Sequence, residues 1–174
     1  MTKKTTTKSV QVPEPPTVKR FVEVERLQMI GIPILAAVVI AGLFGAFDDT
    51  SARSDADGTP LALHVEYPSR VQLEQGKPLS IEVENRSSAA VGEVAVEIDR
   101  RYLEAFRSEK FVPEPDQITP EAYVIQLGAV QPGEVRRIAI DLQAEKVGSH
   151  DGEVRIASAG RRLAAIDLST FVFP

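Results

Sequence analysis

The chain has 174 residues, and its 20 Lys and Arg against 25 Asp and Glu give a formal net charge of −5. No nucleic-acid partner is expected, because phosphate backbones are bound by an excess of positive charge. The chain has no cysteine. This excludes disulfides, cysteine nucleophiles and thiolate metal sites, so an exported domain must be held together by its hydrophobic core.

Residues 1–27 are predicted to be a cytoplasmic tail and a juxtamembrane segment. The tail is rich in Thr, Lys and Pro and lacks an apolar pattern, which is typical of disorder. Its positive residues are Lys3, Lys4, Lys8, Lys19, Arg20 and Arg26. Aspartates dominate just after residue 47. Because positive flanks stay in the cytoplasm, the N-terminus is predicted to be inside and the remainder outside, periplasmic or on the cell surface.

Residues 28–47 form one uncharged apolar run, which predicts a single transmembrane helix. About 20 residues at about 1.5 Å each match the hydrocarbon thickness of a bilayer. The run is longer than a signal-peptide core, which favours an uncleaved signal anchor in the cell membrane. Ala37, Ala41 and Gly45 are spaced by four and form a small-residue stripe. Such a stripe lets a second helix approach, from an integral membrane protein or from another copy in a homo-oligomer.

Residues 48–60 are predicted to be a polar linker, and residues 61–174 an extracytoplasmic β domain. Apolar residues alternate with polar ones in about seven short runs that are separated by Gly, Pro and Asn turns. Half-buried strands of this kind predict an all-β, immunoglobulin-like antiparallel β-sandwich. The runs begin near Leu61, Leu79, Val94, Tyr123, Ile138, Val154 and Leu163.

The stretch 100–121 interrupts this alternation. Tyr102, Leu103 and Phe106 have helical spacing, which predicts one helical turn, and the prolines that follow exclude a central strand. A structural crossover between the two sheets is one interpretation. The other is a partner-contact loop, because loops on a rigid sandwich often carry binding. Its candidate residues are Tyr102, Phe106, Phe111, Pro113 and Pro115.

Three pieces of the β domain resemble bacterial immunoglobulin-like domains of the CARDB type. They are Glu84-Asn85-Arg86-Ser87 after a strand, the segment 92–96, and the turn 127–134 that contains Pro132-Gly133. The resemblance implies a fold that is used for spacing, adhesion or subunit contact. It carries no catalytic residues to this chain, and a fold alone does not give a function.

No catalytic, cofactor-binding or metal site is predicted, and no cofactor is expected. The two histidines, His64 and His150, lack partners at motif spacing, and no phosphate-binding or nucleophile motif occurs. The leading hypothesis is a non-enzymatic accessory subunit of the bacterial envelope. Its helix packs against an integral membrane partner, its domain covers that partner's outer face, and membrane lipid surrounds the helix. The alternative is a membrane-tethered binding module for a peptide, glycan or envelope component.

Overall fold

The computed structural model describes residues 30–40 and 50–174. The chain divides into two compact units, Met1–Phe47 and Asp48–Pro174. In the first unit, residues 30–40 form helix α1. The second unit, called the β domain below, contains ten strands and one short helix. They are β1 (Thr50–Ala56), β2 (Leu61–Gln72), β3 (Gly76–Asn85), β4 (Val91–Asp99), α2 (Arg100–Leu103), β5 (Phe106–Val112), β6 (Gln117–Ile118), β7 (Ala122–Val130), β8 (Val135–Ala144), β9 (Gly148–Ser158) and β10 (Arg161–Phe173).

The strands form one hydrogen-bonded sheet in the order β5-β8-β3-β2-β10-β9-β4-β7-β6, and β1 pairs with β2 outside this path. Strand β2 joins two layers. Its first part, Leu61–Glu66, pairs antiparallel with β3, and its last part, Arg70–Gln72, pairs parallel with β10. The order β2-β3-β8 and the order β10-β9-β4 match the A-B-E and G-F-C strands of the immunoglobulin fold.

Side chains from both layers fill a single core. Alternate residues of each strand point inward, so the predicted apolar rows become its two walls. One wall includes Leu63, Leu79, Ile81 and Ile140, and the other includes Val96, Ile98, Ile125 and Ile156, all in one buried cluster. The prediction of an all-β, immunoglobulin-like domain built on alternation is confirmed, but its strands are not all antiparallel as predicted, because β10 pairs parallel with β2.

The number of strands differs from the prediction of about seven, partly because of the predicted linker 48–60. Strand β1 lies inside that segment and pairs with β2 from Thr50↔Arg70 to Ala56↔Leu63. Its alternation is hard to see because the inward positions hold only small residues, of which Ala52 and Ala56 pack against the core. Residues 50–56 are therefore part of the domain rather than a flexible spacer.

The stretch 100–121 contains the other unpredicted strands. Helix α2 confirms the expected helical turn, and β5 and β6 follow it, with Pro113 and Pro115 in the connection between them. Phe106 and Phe111 are five residues apart, so in a regular strand they would point to opposite faces. The register shifts between Ser108 and Lys110. This bulge inserts one residue and turns both rings toward the core.

Candidate functional site

Residues 30–40 form an apolar helix whose side chains are exposed on every side. Ala37, the first member of the predicted small-residue stripe, lies on this helix and is exposed. Ala41 and Gly45 lie outside the described residues, so the stripe as a whole stays a prediction. Within residues 30–40 and 50–174, no helix is both long and apolar enough to cross a membrane.

Two of the five predicted partner-contact residues are core residues instead. Tyr102 and Phe106 are buried, with their ring centroids 5.2 Å apart. The hydroxyl oxygen of Tyr102 lies 2.8 Å from Thr170 Oγ1, and burial raises the pKa of Tyr102 well above its usual range. Tyr102 lies on α2 and Phe106 begins β5, and both rings face the core. Neither residue is available to a partner in the folded domain.

The other three predicted contact residues lie around an open groove. Phe111 is half-buried on β5, Pro113 is exposed, and Pro115 is half-buried. The groove has a volume of about 480 Å³ and is called the crossover groove below. It is lined by Lys110, Phe111, Glu114, Pro115, Ile118 and Tyr123. Pro113 lies beside the groove without lining it.

The chain crosses between the two layers at this groove. Strand β5 pairs with β8 in one layer, and β6 pairs with β7 in the other. The Phe111 and Tyr123 rings stack across the gap with centroids 5.4 Å apart and an interplanar angle of 21°. Asp116 fastens the connection to β7, because its Oδ2 accepts a hydrogen bond of 2.7 Å from Gln126 N. The crossover interpretation is therefore confirmed, and the crossing leaves an open groove with mixed polar and apolar lining.

Sequence reasoning missed four of the six residues that line this groove, Lys110, Glu114, Ile118 and Tyr123. Ile118 has 58% of its surface exposed, although it lies on a strand. Tyr123 begins a predicted alternating run and was treated only as a core residue. An isolated Ile between two prolines was the available signal, because prolines at strand ends mark an edge where side chains stay uncovered. Aromatic and aliphatic side chains together with one Lys and one Glu suit an extended ligand that has both apolar and charged groups.

A second cluster of polar side chains surrounds His64 on β2. His64 Nδ1 lies 2.5 Å from Asp55 Oδ1, and His64 Nε2 lies 3.2 Å from Arg86 Nη2. Because a guanidinium only donates, Nε2 accepts, and Nδ1 carries the proton that is donated to Asp55. This hydrogen bond from His64 is the main cause that lowers the pKa of Asp55. Arg86 also pairs with Glu84 at 2.7 Å and with Asp57.

The arrangement around His64 joins β1 to β2 and β3, so its evident role is structural. Across residues 30–40 and 50–174, the His, Asp and Glu side chains form no group of three that could hold a metal ion.

Asn85 is a buried hydrogen-bonding centre that sequence reasoning treated as turn chemistry. Its Nδ2 donates to the carbonyl oxygens of Ala89 and Val130, both at 2.8 Å. Its Oδ1 accepts from the backbone N–H and the hydroxyl of Ser87, at 2.9 and 2.7 Å. Gly133 N donates to the backbone oxygen of Asn85 at 2.8 Å. Two of the pieces that carry the CARDB resemblance thus meet at one end of the domain.

Comparison with known proteins gives structural neighbours only. No protein-family model matches, and no curated protein matches. An alkylpurine DNA glycosylase from Pseudomonas fluorescens is similar, with 16% identity and a TM-score of 0.37. The match covers 64% of this chain and 30% of the glycosylase. A CARDB domain from Pyrococcus furiosus has 11% identity and TM-score 0.39, with 72% and 92% of the two chains covered. A cohesin module from a Clostridium perfringens glycoside hydrolase has 10% identity and TM-score 0.42, with 71% and 96% covered.

The class of the β domain is defined by its own strand pairing. The shared strand β2, the two facing layers and the single core make it an immunoglobulin-like β-sandwich.

Proposed function

We propose that this protein is a non-catalytic, single-pass membrane subunit whose immunoglobulin-like domain lies outside the cytoplasm beside an integral membrane partner. The observation that carries the proposal is helix α1. All eleven of its residues, from Ile30 to Ile40, are exposed, and none is polar. A helix that is apolar on every side is stable when lipid or protein surrounds it.

The sequence around α1 supports the membrane part of the proposal. The uncharged run continues in both directions, from residue 28 to residue 47, and reaches the length that a bilayer needs. Basic residues precede the run, and aspartates follow it. The proposed orientation, with the N-terminus in the cytoplasm, follows from this asymmetry.

The outer faces of the sandwich carry ion pairs, some of which join neighbouring strands. Arg137 pairs with Glu82 at 2.6 Å across β8 and β3. In the other layer, Arg155 on β9 pairs with Glu153 of the same strand at 2.7 Å and with Glu97 on β4 at 3.7 Å. Exposed pairs of this kind contribute little to stability, but they keep a surface soluble.

A substitution in the small-residue stripe tests the contact between the helix and its membrane partner. Replacing Ala37 with leucine is expected to reduce co-purification of the membrane partner, because the larger side chain separates the two helix backbones. The measurement is affinity purification of the full chain in mild detergent, with protein identification in each eluate.

Ala36→Leu is the matched control, because it adds the same bulk about 100° around the helix. It should leave association intact. A wild-type chain that purifies as a lone monomer contradicts the accessory-subunit proposal. Equal losses in both variants contradict the role of the stripe.

The crossover groove favours a second candidate, a membrane-tethered module that binds an extended peptide with apolar and charged side chains. Phe111, Pro115, Ile118 and Tyr123 provide its apolar walls. Strand β6 has only two residues, Gln117 and Ile118. It is too short to accept a long added strand, so recognition would use side-chain contacts in the groove.

This candidate predicts that Ile118→Asp weakens peptide binding at least about tenfold, since a charge would enter an apolar contact. The measurement is selection from a displayed random-peptide library on wild-type protein, followed by titration of the enriched peptides. Val135→Asp is the control, because Val135 is also exposed but lies on β8 away from the groove. Enriched peptides that bind both variants equally would exclude the groove as their site.

A further inference from the structure

A row of residues crosses the β domain at the level where β1 begins. Thr50, the first residue of β1, is opposite Arg70 on β2. Arg70 is also opposite Phe171 on β10. These three positions are called the proximal row below. Neighbouring strands are about 4.8 Å apart, so the Phe171 backbone lies roughly 10 Å from that of Thr50.

The proximal row exposes one hydroxyl, one cation and one large apolar ring. Phe171 is 48% exposed, because its neighbours Thr170 and Val172 point into the core. Arg70 is exposed as well. Among the residues that the structure describes, no carboxylate lies within 4 Å of its guanidinium in an ion pair. The proximal row therefore places an exposed aromatic ring opposite an arginine that forms no ion pair with a described residue.

The covalent chain limits how far this row can lie from the apolar run. Only Asp48 and Asp49 separate Phe47 from Thr50. Three Cα steps span at most about 11 Å. Since residues 50–56 are a strand rather than a spacer, the reach of a longer flexible linker is lost. The headgroup region extends roughly 5–8 Å beyond each side of the hydrocarbon core, so this limit keeps Thr50, the first residue of the row, within or next to that region when Phe47 ends the membrane-spanning run.

We propose that the proximal row contacts the phospholipid headgroups of the membrane, with Arg70 on lipid phosphate and Phe171 at the boundary with the acyl chains. The proposal rests on the membrane anchoring proposed above. Arginine binds phosphate through paired hydrogen bonds, and a ring gains apolar contact at the interface. In the turn between β8 and β9, Lys146 and Val147 are exposed at the same end of the domain. They add a second cation and a second apolar side chain to this surface.

The absence of tryptophan makes this contact directly measurable. The full-length Phe171→Trp chain is placed in nanodiscs of phosphatidylcholine and phosphatidylglycerol, with and without a spin label on the lipid headgroup. The introduced tryptophan is expected to lose most of its emission when the spin label is present. Adding Arg70→Glu to this variant should restore part of the emission, because the phosphate contact is replaced by repulsion.

Val135→Trp is the matched control. Val135 is 42% exposed and also lies on a strand. Val135 is at the start of β8 and pairs with Glu84. At the other end of β8, near the proximal row, Gln143 pairs with Gly76. Eight residues of strand place Val135 about 27 Å farther along the domain. Its tryptophan should keep its emission in labelled nanodiscs. Val147→Trp provides a second proximal probe and should be quenched like the probe at position 171.

The outcomes distinguish a failure of the membrane anchoring from a failure of the headgroup contact. Insertion is scored independently, by resistance of the full chain to alkaline extraction from vesicles. A chain that is extracted overturns both the anchoring and the headgroup contact. A chain that resists extraction while both proximal probes emit as strongly as the probe at position 135 overturns the headgroup contact alone. Quenching confined to the proximal probes supports it.

Discussion

Gly152→Ala is expected to destabilise the β domain by about 3 kcal/mol, because the new methyl group would overlap a fixed core residue. A Cβ on Gly152 would lie 2.4 Å from Tyr102 Cβ and 3.1 Å from Tyr102 Cγ. The clash falls at the base of the tyrosine side chain, where rotation gives no relief. The hydroxyl end of Tyr102 is also held, at 2.8 Å from Thr170 Oγ1.

The measurement for Gly152→Ala is thermal unfolding of the full chain in detergent, followed by circular dichroism of the β signal. A loss of about 3 kcal/mol lowers the melting temperature of a domain of this size by roughly 10 °C. Gly92→Ala is the control, since an added Cβ there meets no atom within 4 Å. Its stability should change by less than about 1 kcal/mol. Equal melting temperatures for the two variants would refute the close packing of α2 on β9.

The long central strands were predictable because each of them has one buried and one wet face. Leu79, Ile81 and Val83 alternate with polar residues on β3, and all three are fully buried. The period of two therefore identified the strands and also which residues form the core. The helical turn of α2 was predictable because the adjacent apolar residues Tyr102 and Leu103, with Phe106 four residues after Tyr102, break the alternation of a strand and fit one face of a helix.

The edge strands were not predictable, because their sequences carry no such contrast. On β1 the inward positions include Ala52 and Ala56, whose small side chains resemble those of a polar linker. On β5 the bulge between Ser108 and Lys110 breaks the spacing of the two phenylalanines. Strand pairing, which decides both cases, depends on contacts distant in sequence. A single-sequence pattern reports only the local part of that information.

The residues of the candidate sites also divide into those that the sequence predicted and those that depend on strand pairing. Phe111 and Pro115 were predicted as contact residues and do line the crossover groove. Tyr102 and Phe106 were predicted beside them but are buried, since an apolar residue in an irregular stretch can face either inward or outward. Ile118 and Tyr123 complete the groove only because β6 and β7 fold back against β5. The proximal row depends wholly on the pairing of β1, β2 and β10.

Asn85→Ala is expected to destabilise the β domain by about 2–4 kcal/mol, because four hydrogen bonds of a buried amide are lost together. The amide joins the end of β3 to the turn that follows and to the end of β7, through Ser87, Ala89 and Val130. Truncation leaves the carbonyl oxygen of Val130 without this donor inside the domain. Urea titration of the full chain in detergent measures the loss, and Ser88→Ala is the control, because Ser88 is exposed in the same turn.

Asn85→Asp distinguishes a loss of hydrogen bonds from a loss of packing, because its shape is nearly unchanged. The introduced carboxylate keeps the oxygen that accepts from Ser87 but places a second oxygen against the carbonyl groups of Ala89 and Val130. Burial and this repulsion disfavour the charged form and raise the pKa of the introduced group in the folded state. The folded state then binds a proton that the unfolded state releases. The deficit relative to wild type at the same pH should therefore be largest at neutral pH and shrink as the pH falls. A deficit that is small at neutral pH, or that does not change with pH, would show that the donor interactions of Asn85 contribute little to stability.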